Sequence, residues 1–328
     1  MLEQCDVTVV IPTYNRMGLI ARAIESALAQ TIQPAQVIVV DDGSTDDTEE
    51  LCKAYAPKVQ YVWQRNAGVS AACNTGIRLT RHPWVAFLAS DDYWISSHLE
   101  RMVAAIRETA GEAAFYFSDM QMPEEDGGGT LWERIGFRPR TPFHLVGDAS
   151  AWMLMKYQPT VVQSSVISKR ALESVGGFDQ SKPVGEDTYL FCQLGIGGVA
   201  CAVSGIGCVR TSDDKSNIRL TVDIPFGSEE NLVVACKIWR EVLDWEKRLP
   251  SHFRRIVIYD LAGSHFELGK VMWRSGRFMR AIWQLLLSAK SDPRFAAWLV
   301  RNGSSKGYEE TVRPVRCIES VRRRRIEG

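Results

Sequence analysis

Two pairs of adjacent carboxylates, Asp41-Asp42 and Asp91-Asp92, each close an apolar run: Val37-Ile-Val-Val40 in the first case, Trp84-Val-Ala-Phe-Leu88 in the second. In an open parallel α/β sheet the carboxyl ends of the strands face the ligand crevice. Acidic pairs at two such ends would meet across that crevice, around something cationic or rich in hydroxyls. A divalent cation on a phosphorylated sugar donor answers that description, because hard cations take oxygen ligands and leave their other positions to phosphate and water. A third pair, Glu186-Asp187, stands at the start of a helical pattern. There it could compensate the helix dipole or take a proton from a reacting hydroxyl.

The segment after the first apolar run is Pro12-Thr-Tyr-Asn-Arg-Met-Gly18. A dinucleotide-binding turn needs glycines there so that a pyrophosphate can approach the helix N-terminus, and their absence argues against an NAD or FAD enzyme. Tyr14 offers a flat ring for stacking on a base, and Asn15 can both donate and accept hydrogen bonds.

These residues need elements to hold them. Short β-rich runs alternate with helical patterns through the first third of the chain, the mark of parallel βαβ units. Strands are predicted over Val7–Ile11, Val37–Val40, Val59–Trp63, Trp84–Leu88 and Ala114–Phe117, with helices over Ser70–Leu79 and about Ser97–Arg107. Residues 120–150, with Glu124-Glu-Asp-Gly-Gly-Gly129, read as a polar surface insertion. A sheet region resumes over Val161–Ile167, helices follow at Lys169–Val175 and Thr188–Leu194, and Val199–Val203 and Cys208–Arg210 read as two closing strands. Beyond residue 229 the pattern is helical. Tyr259–Arg274 and Phe278–Lys290, with Gly276 between them and Pro293 after, form one hairpin of tetratricopeptide type, fewer than the three units a solenoid needs.

The chain has 328 residues, 45% hydrophobic and 24% charged, and its 39 basic and 39 acidic residues balance. This is the composition of a folded globular protein. The eight cysteines form no C-x-x-C and have no accompanying histidine cluster, so they read as reduced thiols and not as zinc ligands. No secretory leader and no run of about 18 apolar residues is visible, so a cytoplasmic protein is expected. The basic tail, Arg313, Arg316 and Arg322–Arg325, could reach an anionic membrane surface, giving a peripheral place on the inner face of the cell membrane. No nucleic-acid partner is expected.

Four segments come in a telling order: Val10-Ile-Pro-Thr-Tyr-Asn-Arg16, Val40-Asp-Asp-Gly-Ser-Thr-Asp-Asp-Thr48, Asn66-Ala-Gly-Val-Ser-Ala-Ala-Cys-Asn-Thr-Gly76 and Phe87-Leu-Ala-Ser-Asp-Asp-Tyr-Trp94. Together they closely resemble the family 2 glycosyltransferases, inverting enzymes of the GT-A fold that use nucleotide-sugar donors. The resemblance spans roughly residues 5 to 215. It implies an α/β GT-A domain (Rossmann-like, a mainly parallel sheet flanked by helices) over residues 1–225 and a helical C-terminal region over 226–328. It further implies that Pro12, Thr13 and Tyr14 line the donor, that Asp42 accepts from the base's ring N–H, and that Asp91 and Asp92 hold ribose hydroxyls and a Mg²⁺ or Mn²⁺ on the diphosphate. Asp41 could simply brace its loop. Gly176-Gly-Phe-Asp179 and Gly185-Glu-Asp187 resemble the family's acceptor-side segment, which makes Asp187 the candidate base, with Glu186 as its orienting neighbour and fallback.

The chain departs from the family pattern at two places. Ala89 stands where many relatives have Asp, and Ser212 lies in the stretch where many have a metal-binding His. The motif Q-x-x-R-W of polymerising members is missing. The expected activity is transfer of one sugar, from a donor most plausibly UDP-linked, to a glycan or lipid-linked acceptor in surface-polysaccharide synthesis. The alternatives are a donor-binding, non-catalytic GT-A module acting through its helical tail, and a nucleotidyltransferase, for which Arg16 alone is thin support.

Overall fold

The computed structural model describes residues 4–212, 227–245, 249–302, 305 and 308–312. The chain divides into two compact units, Met1–Arg219 and Leu220–Gly328. The boundary expected near residue 225 and the arginine-rich tail lie outside the described residues.

The first unit is built on one nine-stranded sheet. Four strands, β1 (Gln4–Thr13), β2 (Gln33–Asp41), β3 (Gln60–Trp63) and β4 (Trp84–Phe87), run parallel in the order β3-β2-β1-β4. Their carboxyl ends therefore lie along one edge. Alternation along β1 sends Val7, Val9 and Ile11 to one face, into a core with Ile20, Ala23, Ile24 and Ala27 of helix α1 (Ile20–Leu28). Beyond β2 comes α2 (Thr48–Lys53). Val10 points to the other face, where it meets helix α3 (Val69–Leu79) at Gly76. A Cβ on Gly76 would sit 2.2 Å from Val10 Cγ1. Only glycine lets this helix lie so close to the sheet.

The other half of the sheet is mixed, where the sequence pattern suggested mainly parallel pairing. The connection after β4 carries a two-residue strand β5 (Tyr93–Trp94) and helix α4 (His98–Glu108), then β6 (Phe115–Gln121). Strand β8 (Ser165–Ser168) enters antiparallel between β4 and β6, and β9 (Ala200–Val209) lies parallel to β6 and antiparallel to β5. Strand β9 is one strand where two short ones were expected. Gly205, at φ +94°, and Gly207 accommodate shifts in register against β6 around Asp119. Val162–Ser164, expected in the sheet, forms a 3₁₀ turn before β8.

Residues 120–150 are also not the surface insertion their polar sequence suggested. Helix α5 (Leu131–Ile135) starts from a capping box in which Thr130 and Glu133 satisfy each other's backbone N–H. Strand β7 (Phe143–Val146) pairs antiparallel with β9, and α6 (Ser150–Met153) follows. Trp132 is buried, donates from Nε1 to the Pro159 carbonyl at 2.8 Å, and joins Phe117, Phe137 and Trp152 in a ring cluster with centroids 5.0–5.9 Å apart. Three glycines and three acids outweighed these sparse aromatics in the reading of the sequence, but the aromatics decide the packing.

Helices α7 (Lys169–Val175) and α8 (Glu186–Gly195) complete the first unit. The second unit holds α9 (Glu229–Asp244), α10 (Ser251–Arg274), α11 (Phe278–Ser291), α12 (Pro293–Asn302) and α13 (Tyr308–Val312). Helices α10 and α11 form the expected hairpin, turned by Gly276 at φ +76°, and Gly269 lets Leu285 approach to 3.0 Å from where a Cβ would be. Pro293 also opens a further helix, capped by Asp292 Oδ1, which accepts from the N–H groups of Arg294 and Phe295. No described helix is long and apolar enough to cross a membrane.

The contact between Gly76 and Val10 gives a direct test. Gly76→Ala should destabilise the fold by about 1–3 kcal/mol, seen as a lower denaturant midpoint, and Val10→Ala in the same chain should recover part of the loss.

Candidate active site

Loop 12–18 and loop 42–48 fold as one body at the carboxyl ends of β1 and β2. The Asp42 N–H donates to the Thr13 carbonyl, Asn15 N–H to Ser44 Oγ at 2.8 Å, Thr45 N–H to Asn15 Oδ1 at 2.8 Å, and Met17 N–H to Asp46 Oδ2 at 3.1 Å. Asn15 sits at φ +50°, a left-handed conformation that Asn tolerates better than most residues. Tyr14 is exposed, so its ring is accessible to a base. Thr13 Oγ1 is buried with no hydrogen-bond partner among the described residues. Such an atom needs an explanation, and a ligand polar group is one.

The two members of the first acidic pair have different duties. Asp41 braces the loop, accepting from Ser44 N–H and from the Tyr61 hydroxyl at 2.7 Å. The carboxylate of Asp42 accepts from Gln64 Nε2 at 2.7 Å and from the N–H groups of Ala67 and Gly68. It thereby ties the end of β2 to the start of α3, which has no side-chain cap of its own. Ala67-Gly68 in the sequence is thus a landing site for Asp42, and Gly68, at φ +90°, supplies the turn.

Asp92 is buried while Asp91 is half-buried. The Asp92 carboxylate accepts from Thr211 N–H at 3.1 Å and from Gln163 Nε2 at 3.3 Å. Burial first, and then the charge of Asp91, push its pKa up to about 7. A cation at this place would favour the charged form. Arg22, Thr211 and Gln163 surround the pair and were not singled out from the sequence. Arg22 donates from Nη2 to the Asp91 carbonyl and to Thr211 Oγ1, and Thr211 Oγ1 donates to the same carbonyl at 2.6 Å. Thr211, which adjoins Ser212, does this bracing, and no motif in the sequence marks it.

No cluster of three or more His, Cys, Asp or Glu side chains suited to a metal occurs among the described residues. Asp91 and Asp92 nevertheless fit a Mg²⁺ or Mn²⁺ shared with a diphosphate. Such ions bind through one or two carboxylates plus phosphate and water, and each Asp92 oxygen has only one long protein hydrogen bond.

The segment from Gly176 to Asp187 is fixed to the Asp42 loop through α3. Asn74 exchanges two hydrogen bonds with the Phe178 backbone, both 2.8 Å. Gly177, at φ +75°, lets the chain pass so close that a Cβ would fall 2.3 Å from Asn74 Oδ1. The Phe178 ring meets Phe87, the last residue of β4, edge-on at 5.2 Å. Asp179 pairs with the buried Lys182, whose ammonium also lies 3.9 Å from the Tyr189 ring centre. Gly185, at φ +69°, opens α8, and Glu186 and Asp187 occupy its first turn. The Asp187 carboxylate accepts from Thr188 N–H at 2.6 Å. Burial raises the pKa of both, and repulsion from Asp187 adds to the rise at Glu186. Between the two halves lies Cys73, whose thiol is pushed well up by burial and by the charges of Glu186 and Asp42. A cleft of about 360 Å³ borders the segment from Gly176 to Asp187, lined by Asn74, Phe178, Asp179, Tyr189 and Gln193 among others.

A parallel-edged α/β sheet with acidic loops at its carboxyl ends and a helical second unit is a GT-A architecture. Residues 8–146 match the model of glycosyl transferase family 2, and the chain carries a domain of that family. Residues 1–349 of TarS from S. aureus share the fold, with a TM-score of 0.63 at 17% identity over 96% of this chain and 91% of that one. The mannosyltransferase PcManGT from Pyrobaculum calidifontis, solved with GDP-Man and Mn²⁺, gives 0.54 at 17% identity over 94% of this chain and 82% of that one. Among sequences, the succinoglycan biosynthesis protein ExoO of Rhizobium meliloti is 33% identical over 60% of this chain and 58% of its own length. An uncharacterized glycosyltransferase of Rickettsia bellii is 30% identical over 63% of this chain and 29% of its length, and chondroitin synthase of Escherichia coli is 36% identical over 36% and 18%. The chain thus spans under a third of the length of several curated relatives it matches.

Asn74→Ala would leave the Phe178 N–H and carbonyl without their partner. It should lower stability by about 1–3 kcal/mol and speed amide exchange across residues 176–182, measured by mass spectrometry, while exchange in β1 and β2 stays unchanged.

Proposed function

We propose that this protein transfers a single sugar, with inversion, from a UDP-linked donor to a glycan or lipid-linked acceptor in surface-polysaccharide synthesis. The observation that carries the reading is the joining of two half-sites by one helix. The start of α3 is held by Asp42 on the donor side, and Asn74 in its middle holds the G-F-D segment that leads to Glu186 and Asp187. Family membership, the TarS structures with UDP and UDP-GlcNAc, and the biosynthetic role named for ExoO support the same class of reaction. A nucleotidyltransferase finds no comparable support.

In this mechanism Tyr14 stacks on the base, and Pro12, Thr13 and Asp42 shape its pocket. Asp91 and Asp92 would hold the ribose and a Mg²⁺ or Mn²⁺, and such an ion would offset charge on the departing diphosphate. Asp187 takes the proton of the acceptor hydroxyl as that oxygen attacks the anomeric carbon, and Glu186 orients it. A carboxyl whose pKa burial has raised is a stronger base once ionised, which suits this duty. The non-catalytic alternative leaves the helix-start carboxylates without a task. The protein works at the inner face of the cell membrane, with the basic tail as a loose electrostatic contact.

Two substitutions test this assignment. Asp92→Asn should abolish metal-dependent donor binding in calorimetry, and undiminished transfer in excess chelator would contradict the metal's role. Asp187→Asn should keep donor affinity and lower turnover by about 10²–10⁴-fold. Turnover of the unsubstituted protein should fall on acidification at a pH above the ordinary carboxylate value of about 4, because the base must be ionised.

Stability should respond in the opposite sense. The folded Asp187 carboxyl keeps its proton above the pH at which the unfolded one releases it, so its contribution declines as pH rises from about 4 toward the raised value. Asp187→Asn should therefore raise the melting temperature at neutral pH.

A further inference from the structure

Helix α11 has two unlike faces. Ala281 and Ser288 are buried and Leu285 packs toward Gly269 of α10, so one face belongs to the core of the second unit. On the other, Met279 (80% exposed), Ile282, Trp283 (61%) and Leu286 (58%) follow the spacing i, i+3, i+4, i+7 that makes one stripe on a helix. Phe278 and Trp273, edge-to-face at 4.9 Å, extend it at the hairpin turn. Of the twelve exposed large hydrophobic side chains among the described residues, seven lie between Trp273 and Val300. The apolar exposure is therefore concentrated here and is not the scatter usual on a surface.

The charge around this stripe is one-sided. From Lys270 to Arg301 the sequence has seven basic residues and one acidic residue, Asp292, although the whole chain is balanced at 39 of each. Asp292 is buried and accepts from the Tyr308 hydroxyl. Lys270 pairs with Glu267, and Arg277 with Glu229. Arg274, Arg280, Lys290, Arg294 and Arg301 are all exposed.

We infer that α11 lies in the plane of an anionic lipid surface, with Met279, Ile282, Trp283 and Leu286 in the headgroup–acyl boundary and the five exposed cations among the headgroups. An apolar face with Trp beside it, basic flanks and a helix about 21 Å long suit this geometry. Pairing with a second copy suits it less. An isologous contact sets the same patch against itself, which would bring five cations against five. This docking face is part of the folded unit and separate from the basic tail, and the inference does not depend on the sugar-transfer reading.

The test is co-sedimentation of the full-length protein with vesicles of phosphatidylcholine alone, or of phosphatidylcholine and phosphatidylglycerol in equal parts. Binding should favour the anionic vesicles and weaken with added salt. Trp283→Glu with Leu286→Glu should weaken it at least about tenfold without altering the helical circular-dichroism signal. Arg280→Gln with Arg294→Gln should weaken it roughly twenty-fivefold, at about fivefold per charge. Should the glutamate variant misfold, Trp273→Phe with Trp283→Phe keeps the stripe apolar; it should still bind, but lose much of the quenching that brominated lipids produce in the unsubstituted protein. Undiminished binding by a folded glutamate variant would assign the affinity to the tail and overturn the proposal. So would an absence of binding at low salt, or a dimer in ultracentrifugation that the glutamate variant dissociates.

Discussion

The approach of α3 to β1 is the constraint on which the site depends. Gly76 removes the side chain that would hold the helix off Val10, and the helix then lies flat on the sheet. From that position its first turn is within reach of Asp42, and its middle is within reach of the chain leaving α7. A helix packed a few ångströms higher could not receive Asp42 at Ala67 and Gly68 and also exchange two hydrogen bonds between Asn74 and Phe178. One close contact therefore sets the separation of two groups of carboxylates more than a hundred residues apart in sequence.

Burial then prepares those carboxylates for different work. Asp41 and Asp42 are buried but receive hydrogen bonds from the chain around them, so they act as struts of the donor loop. At Asp92, Glu186 and Asp187 burial outweighs the hydrogen bonds received and raises the pKa of each. Groups held this way lower the stability of the empty fold and gain most from a ligand that brings cationic charge or a proton to transfer.

Much of this was legible in the sequence, for identifiable reasons. Strands β1, β2 and β4 contain apolar runs that stop at Pro12 or shortly before paired Asp residues, so the acidic pairs could be placed at the carboxyl ends, although β1 itself continues through Pro12 to Thr13. Asn74 stood inside a motif, but its partner is the backbone of Phe178, which no local pattern can reveal. Gln163 reaches Asp92 from the 3₁₀ turn before β8 and Thr211 from the chain just after β9, strands whose order in the sheet the sequence does not announce. The stretch 120–150 looks polar because its glycines and acids are numerous, whereas the four aromatic side chains that bury it come from separate elements. Strand β9 joins the two short runs because the glycines between them form a bulge against β6 and not a turn.

The central claim is that donor and acceptor machinery share the carboxyl edge of the sheet, with a divalent cation on the second acidic pair. The most direct measurement is a crystal structure grown with UDP and Mn²⁺, with an anomalous map to locate the ion. The account predicts a manganese peak bonded to a carboxylate oxygen of Asp91 or Asp92 and to the diphosphate, with the uracil against Tyr14. Nucleotide bound elsewhere, or bound at this edge with manganese away from both aspartates, would contradict it.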